Sequence, residues 1–160
     1  MTSTTVPWLD DREMTAWRSY IETVVDLNSA LEADLAEHGL TMGDYQVLVF
    51  LCEAEGRAMR MCDLAARLQL SPSGVTRRLD GLVRVGLVER RPSTSDRRVM
   101  LAVLTPHGVD HLAVTAPDHV RSVRRHILDR LDAEDVDALG RIFTRIRDGL
   151  ASTRRVPAHA

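Results

Sequence analysis

For most of its length the chain sets apolar residues in helical stripes, and it switches to strand-like alternation only between residues 87 and 104. Over 10–38 the apolar positions advance in steps of three and four, through Met14, Trp17, Ile21, Val24, Leu31 and Leu35, with polar Asn28 in the series. So narrow a stripe is a seam that asks for a partner helix rather than a broad core. At a rise of 1.5 Å per residue this helix would be about 40 Å long, more than a small domain can cover alone. Gly39 ends it. A second helix is predicted over 42–55, capped by Thr41 and stopped by Gly56, with Tyr45, Leu48, Val49, Leu51 and Cys52 as its apolar side. Near the other end, Val136, Leu139, Phe143, Ile146 and Leu150 repeat the narrow seam behind a cap at Asp132 and the first-turn acids Glu134 and Asp135. Two such seams predict a homodimer in which the terminal helices of both subunits interleave.

Between the seams lies the most structured pattern. A short helix over 63–69 places Leu64, Ala65 and Leu68 inward. Ser71 followed by Pro72 then marks a helix start, an oxygen acceptor before a residue whose missing N–H costs nothing at the first helical position, and Gly86 marks the stop. Val75, Leu79, Leu82 and Val83 form the buried stripe of this helix. Ser73, Arg77, Asp80 and Arg84 project the opposite way, with Thr76 on the flank and Arg78 nearer the buried edge. Leu87 and Val88 lead into a hairpin whose return strand alternates Val99, Leu101 and Val103 with Met100, Ala102 and Leu104. Thr105-Pro106 repeats the cap-plus-proline start of a helix running toward Leu131. Its expected buried side is Val109, Leu112, Val120, Val123 and Ile127, with Pro117 expected to kink or divide it. Residues 1–7 and those from 152 onward read as tails.

Charge sharpens this picture. The net charge of −2 conceals a segregation, and every basic residue is arginine, with no lysine. Residues 1–56 hold 2 Arg against 11 acids, a net −9, whereas 57–98 hold 10 Arg against 4 acids, a net +6. Residues 99–160 hold 9 Arg against 8 acids, a net +1. Positive charge is thus concentrated where the helix–turn–helix and hairpin are expected, which points to nucleic acid. An arginine fork at Arg77 can bond guanine O6 and N7 together, and Thr76 can touch a thymine methyl. Ser71, Ser73 and the first-turn N–H groups, Gly74 included, suit a phosphate oxygen at a helix N-terminus. Arg78 suits a phosphate or a structural pair. Asp80 is expected to tether Arg77 or Arg84 within the helix.

The segment resembles the winged helix-turn-helix of the multiple antibiotic resistance regulator (MarR) family. The residues that carry the likeness are L-S-P-S-G-V-T-R-R-L-D-G-L at 70–82, G-L-V-E-R at 86–90, and D-R-R at 96–98 closing into L-T-P-H-G at 104–108. The resemblance implies a mainly α fold with a small β-hairpin wing, in one domain over 1–160. Residues 57–105 would form the DNA-binding lobe, and helices 10–38 and 106–150 the dimerisation lobe, with Trp17, Ile21, Val24, Leu139, Phe143 and Ile146 at the subunit contact. It further implies a wing arginine entering the minor groove. By motif position that is Arg98, oriented by Asp96, with Arg97 as a second candidate. The implied function is a ligand-responsive, sequence-specific repressor that binds a pseudo-palindromic operator in double-stranded DNA as a homodimer. The competing reading is a dimeric protein-interaction module that uses its winged helix without DNA.

Other chemistry is thin. His107 and His111 share a helix face, as do His119 and His126, but no third ligand accompanies them, so no metal or cofactor is expected. Cys52 is expected to act as a small hydrophobe, and Cys62 sits near a helix start where the dipole favours a thiolate. In this family small aromatic or anionic ligands bind between the dimer helices and the DNA-binding lobe. Trp17 and Tyr45 could line such a pocket or simply pack, and no ligand-binding residue is assigned. No glycine-rich phosphate loop, nucleophile elbow or H-E-x-x-H occurs, so no enzyme is expected. Two cysteines, no secretory pattern in the first residues and no ~20-residue apolar run together lead us to expect a reduced, cytoplasmic protein without a membrane span.

Overall fold

A computed structural model describes residues 6–154. Of the expected tails, residues 1–5 and 155–160 lie outside the described residues. In chain order the elements are α1 (Asp11–Ala36), α2 (Met42–Glu53), β1 (Ala58–Arg60), α3 (Met61–Leu68), α4 (Pro72–Arg84), β2 (Val88–Pro92), β3 (Met100–Leu104), α5 (Pro106–His126) and α6 (Ala133–Arg154). They gather into two compact units, Met1–Val120 and Arg121–Ala160.

In the first unit the helix ends are set by side chains the sequence advertises. Asp10 and Glu13 form a reciprocal capping box on α1, and Thr41 and Asp44 do the same on α2. Ser71 Oγ accepts the N–H of Gly74 at 3.1 Å, with Pro72 as the first residue of α4. Gly86 follows α4 at φ +75°, and the N–H of Leu87 returns to the Leu82 carbonyl at 3.0 Å. The turn between α3 and α4 passes through Gln69 at φ +55°, with the N–H of Leu70 bonded to the Ala65 carbonyl. α2 lies at the centre, with Val47, Leu48 and Leu51 fully enclosed. Around it close Leu35 of α1, Leu64 of α3, Val75, Leu79 and Leu82 of α4, Ala102 and Leu104 of β3, and Leu112 of α5.

The sheet has three antiparallel strands in the order β1-β3-β2, where a two-stranded hairpin was expected. β3 is therefore central, pairing Met59 with Ala102 on one side and Arg90 with Ala102 on the other. This position also overrides the expected alternation, for Ala102, Val103 and Leu104 are buried in succession.

Several further expectations are corrected. Val83 is exposed, because it lies roughly 70° around α4 from the centre of its buried stripe. Val120 is exposed too, about 120° from the buried face of α5, and Thr115 and Ser122 take the enclosed positions. Thr115 tolerates this by returning its hydroxyl to the His111 carbonyl at 2.9 Å. Cys52 is exposed rather than core, one residue from the end of α2. α5 is not divided at Pro117 but runs through it and stops at His126, short of Leu131. α3 begins at Met61, two residues before its expected start.

The second unit holds the end of α5, a 3-10 turn at Leu128–Arg130 and α6. Asp132 caps α6 by accepting the N–H of Asp135 at 2.9 Å, and Arg124 pairs with Asp129 at 3.0 Å. α6 continues to Arg154, past the expected tail boundary at residue 152.

Candidate nucleic-acid interface

α4 is anchored by its apolar stripe, so the orientation of its other face is decided. Ser73, Thr76, Arg77, Asp80 and Arg84 are exposed. Arg77 stands on the side opposite the core, with no carboxylate partner among the described residues. Ser71, Ser73, Gly74, Arg77 and Arg78 line one shallow groove at the N-terminal end of α4, shared with Thr41 and Asp44 of α2. The hydroxyls of Ser71 and Ser73 lie 3.1 Å apart, and that of Thr76 is returned to the Pro72 carbonyl at 2.9 Å.

The adjacent arginine behaves differently. Arg78 is half-buried, and its Nη1 reaches Thr41 Oγ1 at 3.1 Å and Asp44 Oδ1 at 3.4 Å. It joins α4 to the capping box of α2. Gly43 makes this possible, since a Cβ there would overlap the Arg78 guanidinium.

Asp80 does not pair with Arg77 or Arg84, as expected from helical spacing. Its partner is Arg90 on β2, whose Nη1 donates to Asp80 Oδ1 at 2.8 Å while Nη2 donates to the Thr76 carbonyl at 2.7 Å. Arg90 received no role from the sequence. Its place in G-L-V-E-R was visible, but the contact across 14 residues was not.

At the wing tip the Ser93 N–H bonds the Val99 carbonyl at 2.8 Å, closing the loop. Asp96 takes the backbone N–H of Arg98 at 3.0 Å and both ends of its guanidinium fork at 3.2 Å. The side-chain bonds from Arg98, then the backbone one, hold the Asp96 carboxyl below its usual range. Arg98 is held yet 90% exposed, and Arg97 is exposed without a carboxylate partner among the described residues.

The residues expected at a subunit contact sit on α1 and α6. On α1, Trp17 is 53% exposed and stacks at 5.9 Å on Tyr20, with Ile21 exposed and Val24 half-buried. On α6, Phe143 and Ile146 are exposed at 46% and 51%, with Leu139 half-buried. Tyr45 is buried against His119, ring centroids 4.4 Å apart. Burial raises the Tyr45 phenol and lowers the His119 imidazole relative to their ordinary values. His111 is bonded to the His38 carbonyl at 3.1 Å, and His38 to Asp118 at 3.0 Å. No helix among the described residues is long and apolar enough to cross a membrane.

Residues 38–99 match the MarR family model. AbsC, a MarR family transcriptional regulator from Streptomyces coelicolor, is 42% identical, superposes with a TM-score of 0.87, and is matched over 92% of this chain and 99% of its own. The chain belongs to the MarR family. A second MarR family member, Sco3205 from the same organism, was solved in complex with DNA; it is 35% identical at a TM-score of 0.87, matched over 92% of each chain. The HTH-type transcriptional repressor YetL of Bacillus subtilis is 28% identical over 141 residues, 86% of this chain and 84% of its own. For a MarR family chain, α3 and α4 are the helix-turn-helix and β2, β3 and the loop between them the wing. These relatives are regulators of transcription rather than enzymes.

Proposed function

We propose that this MarR family chain is a sequence-specific DNA-binding regulator of transcription that acts as a homodimer, and as a repressor released by a small aromatic or anionic ligand. The observation that carries the reading is Arg77, an exposed guanidinium with no carboxylate partner among the described residues, on the outward face of a helix whose other face is locked in the core. Set in the major groove, it offers its fork to guanine O6 and N7, with the Thr76 methyl beside it. The hydroxyls of Ser71 and Ser73 and the first-turn N–H groups serve the phosphates, as helix N-termini do. Arg78, committed to Asp44, holds the helix in place. At the wing, Arg98 enters the minor groove with Asp96 orienting its guanidinium, and Arg97 serves the flanking phosphate.

Two recognition helices reach successive major-groove faces when they are held about 34 Å apart, which accounts for a pseudo-palindromic operator. The apolar faces that α1 and α6 each leave uncovered support the homodimer, because exposed Trp, Phe and Ile at seam spacing along a helix mark contact surfaces. A ligand relieves repression only if it binds one spacing of the helices better than the other. That YetL is a repressor and that Sco3205 was solved with DNA support repression and DNA binding alike.

The test is binding to duplex from the gene's own upstream region and to scrambled duplex across a salt series. Tighter binding to one upstream site and a steep salt slope are expected. Equal affinity for both duplexes, or a flat slope, overturns the reading.

A further inference from the structure

Arg90 on β2 grips the helix proposed to read bases. Its two terminal nitrogens divide between Asp80 Oδ1 at 2.8 Å and the Thr76 carbonyl at 2.7 Å. These acceptors stand four residues apart, one turn of α4, so the guanidinium fixes both the height and the rotation of that turn relative to β2. β2 is itself immobilised, with Val88 buried opposite Leu104 and Arg90 opposite the enclosed Ala102. Arg90 Nε is buried and finds no acceptor.

The second consequence is electrostatic. Asp80 lies three residues after Arg77 and four before Arg84, spacings at which a helix pairs acid with base. Engaged by Arg90, Asp80 leaves both guanidinium groups uncaptured. We propose that Arg90 is a positioning residue for base recognition. It locks the wing to the recognition helix as one body and withholds Asp80 from Arg77, and it touches no DNA itself. This rests on the DNA-reading function proposed above.

The test compares Arg90→Gln, Arg90→Lys and Arg90→Gln/Asp80→Asn with the unaltered protein on operator and scrambled duplex, over a salt series. Arg90→Gln is expected to lower discrimination roughly ten-fold, about the worth of one good base contact, with an unchanged salt slope because no phosphate contact is removed. Adding Asp80→Asn should recover most of that loss by removing the carboxylate that captures Arg77. Arg90→Lys keeps the pair but can reach only one acceptor, and should fall between; it carries the test if Arg90→Gln melts below assay temperature. Full discrimination in Arg90→Lys and Arg90→Gln, failure of Asp80→Asn to rescue, or a slope reduced by about one, the mark of a lost phosphate contact, overturns the proposal. A wild-type protein that does not discriminate at all would instead remove the function on which it rests.

Discussion

Replacing Gly108 with alanine sets two rules against each other. Gly108 lies in the first turn of α5, where its N–H donates to the Thr105 hydroxyl at 3.0 Å. Helix propensity alone favours alanine there, by roughly 0.5–1 kcal/mol. The surroundings say otherwise. A Cβ at this position would overlap the Leu87 carbonyl oxygen and come within 2.7 Å of Leu104 Cδ1. The carbonyl cannot step aside as a flexible side chain could, because it is backbone and already accepts the Thr105 N–H at 3.1 Å, beside the Gly86 carbonyl that takes the Thr105 hydroxyl at 2.7 Å. Relief requires α5 to lift from the α4–β2 corner, which gives up those two hydrogen bonds at about 1 kcal/mol each. Overpacking strain of about 1–3 kcal/mol adds to that. Set against the propensity gain, the net loss is about 2–4 kcal/mol, or roughly 5–15 °C in melting temperature for a chain of this size. The assay is thermal and urea unfolding at one protein concentration, since the proposed homodimer would make stability concentration-dependent. Gly81→Ala is the matched control. Nothing lies within 4 Å of a Cβ there, and a gain of about 0.5–1 kcal/mol is expected. A Gly108→Ala protein as stable as the wild type would refute the packing argument.

Other expectations follow from the same geometry. Arg77→Ala should reduce discrimination between operator and scrambled duplex by about 1–3 kcal/mol, read by competition binding; unchanged discrimination would take Arg77 out of base recognition. Arg98→Ala should weaken binding to both duplexes and lower the salt slope by about one, and an unaltered slope would leave the wing off the DNA. Ile146→Glu on α6 should yield monomers in sedimentation at micromolar concentration, and a dimer mass would place the contact elsewhere. His119 should make stability depend on pH: burial lowers its pKa, so the unfolded chain binds more protons as pH falls below 6.5. Its contribution is intact above 6.5 and is lost on acidification toward the lowered folded value. His119→Gln should flatten that part of the stability–pH curve, and an identical curve would show that another group titrates.

What could be read from the residues was whatever a short span decides for itself. Ser71-Pro72 and Gly86 delimit α4, and the Val75–Leu79–Leu82 stripe fixes which way Arg77 points. The Thr41 cap was legible for the same reason. β1 was not, because Ala58, Met59 and Arg60 carry no alternation of their own and become a strand only by pairing with residues 101–103 of β3. Val83 and Val120 were misplaced because a stripe's edges are set by the neighbour's shape, which periodicity does not describe. The Asp80–Arg90 pair was hidden by the nearer partners that spacing offered. Arg78 stood near the buried edge, but that it would meet Asp44, 34 residues earlier, is tertiary information.

The contrast between Arg77 and Arg78 has a consequence for how such a regulator can change. Two neighbouring codons specify the same amino acid yet answer to separate demands. If Arg77 reads bases as proposed, exchange there would alter which operator is chosen while the scaffold stands, whereas exchange at position 78 would cut the tie between α4 and the Thr41–Asp44 cap whatever the operator. A lineage acquiring new target genes is therefore free at the first and bound at the second.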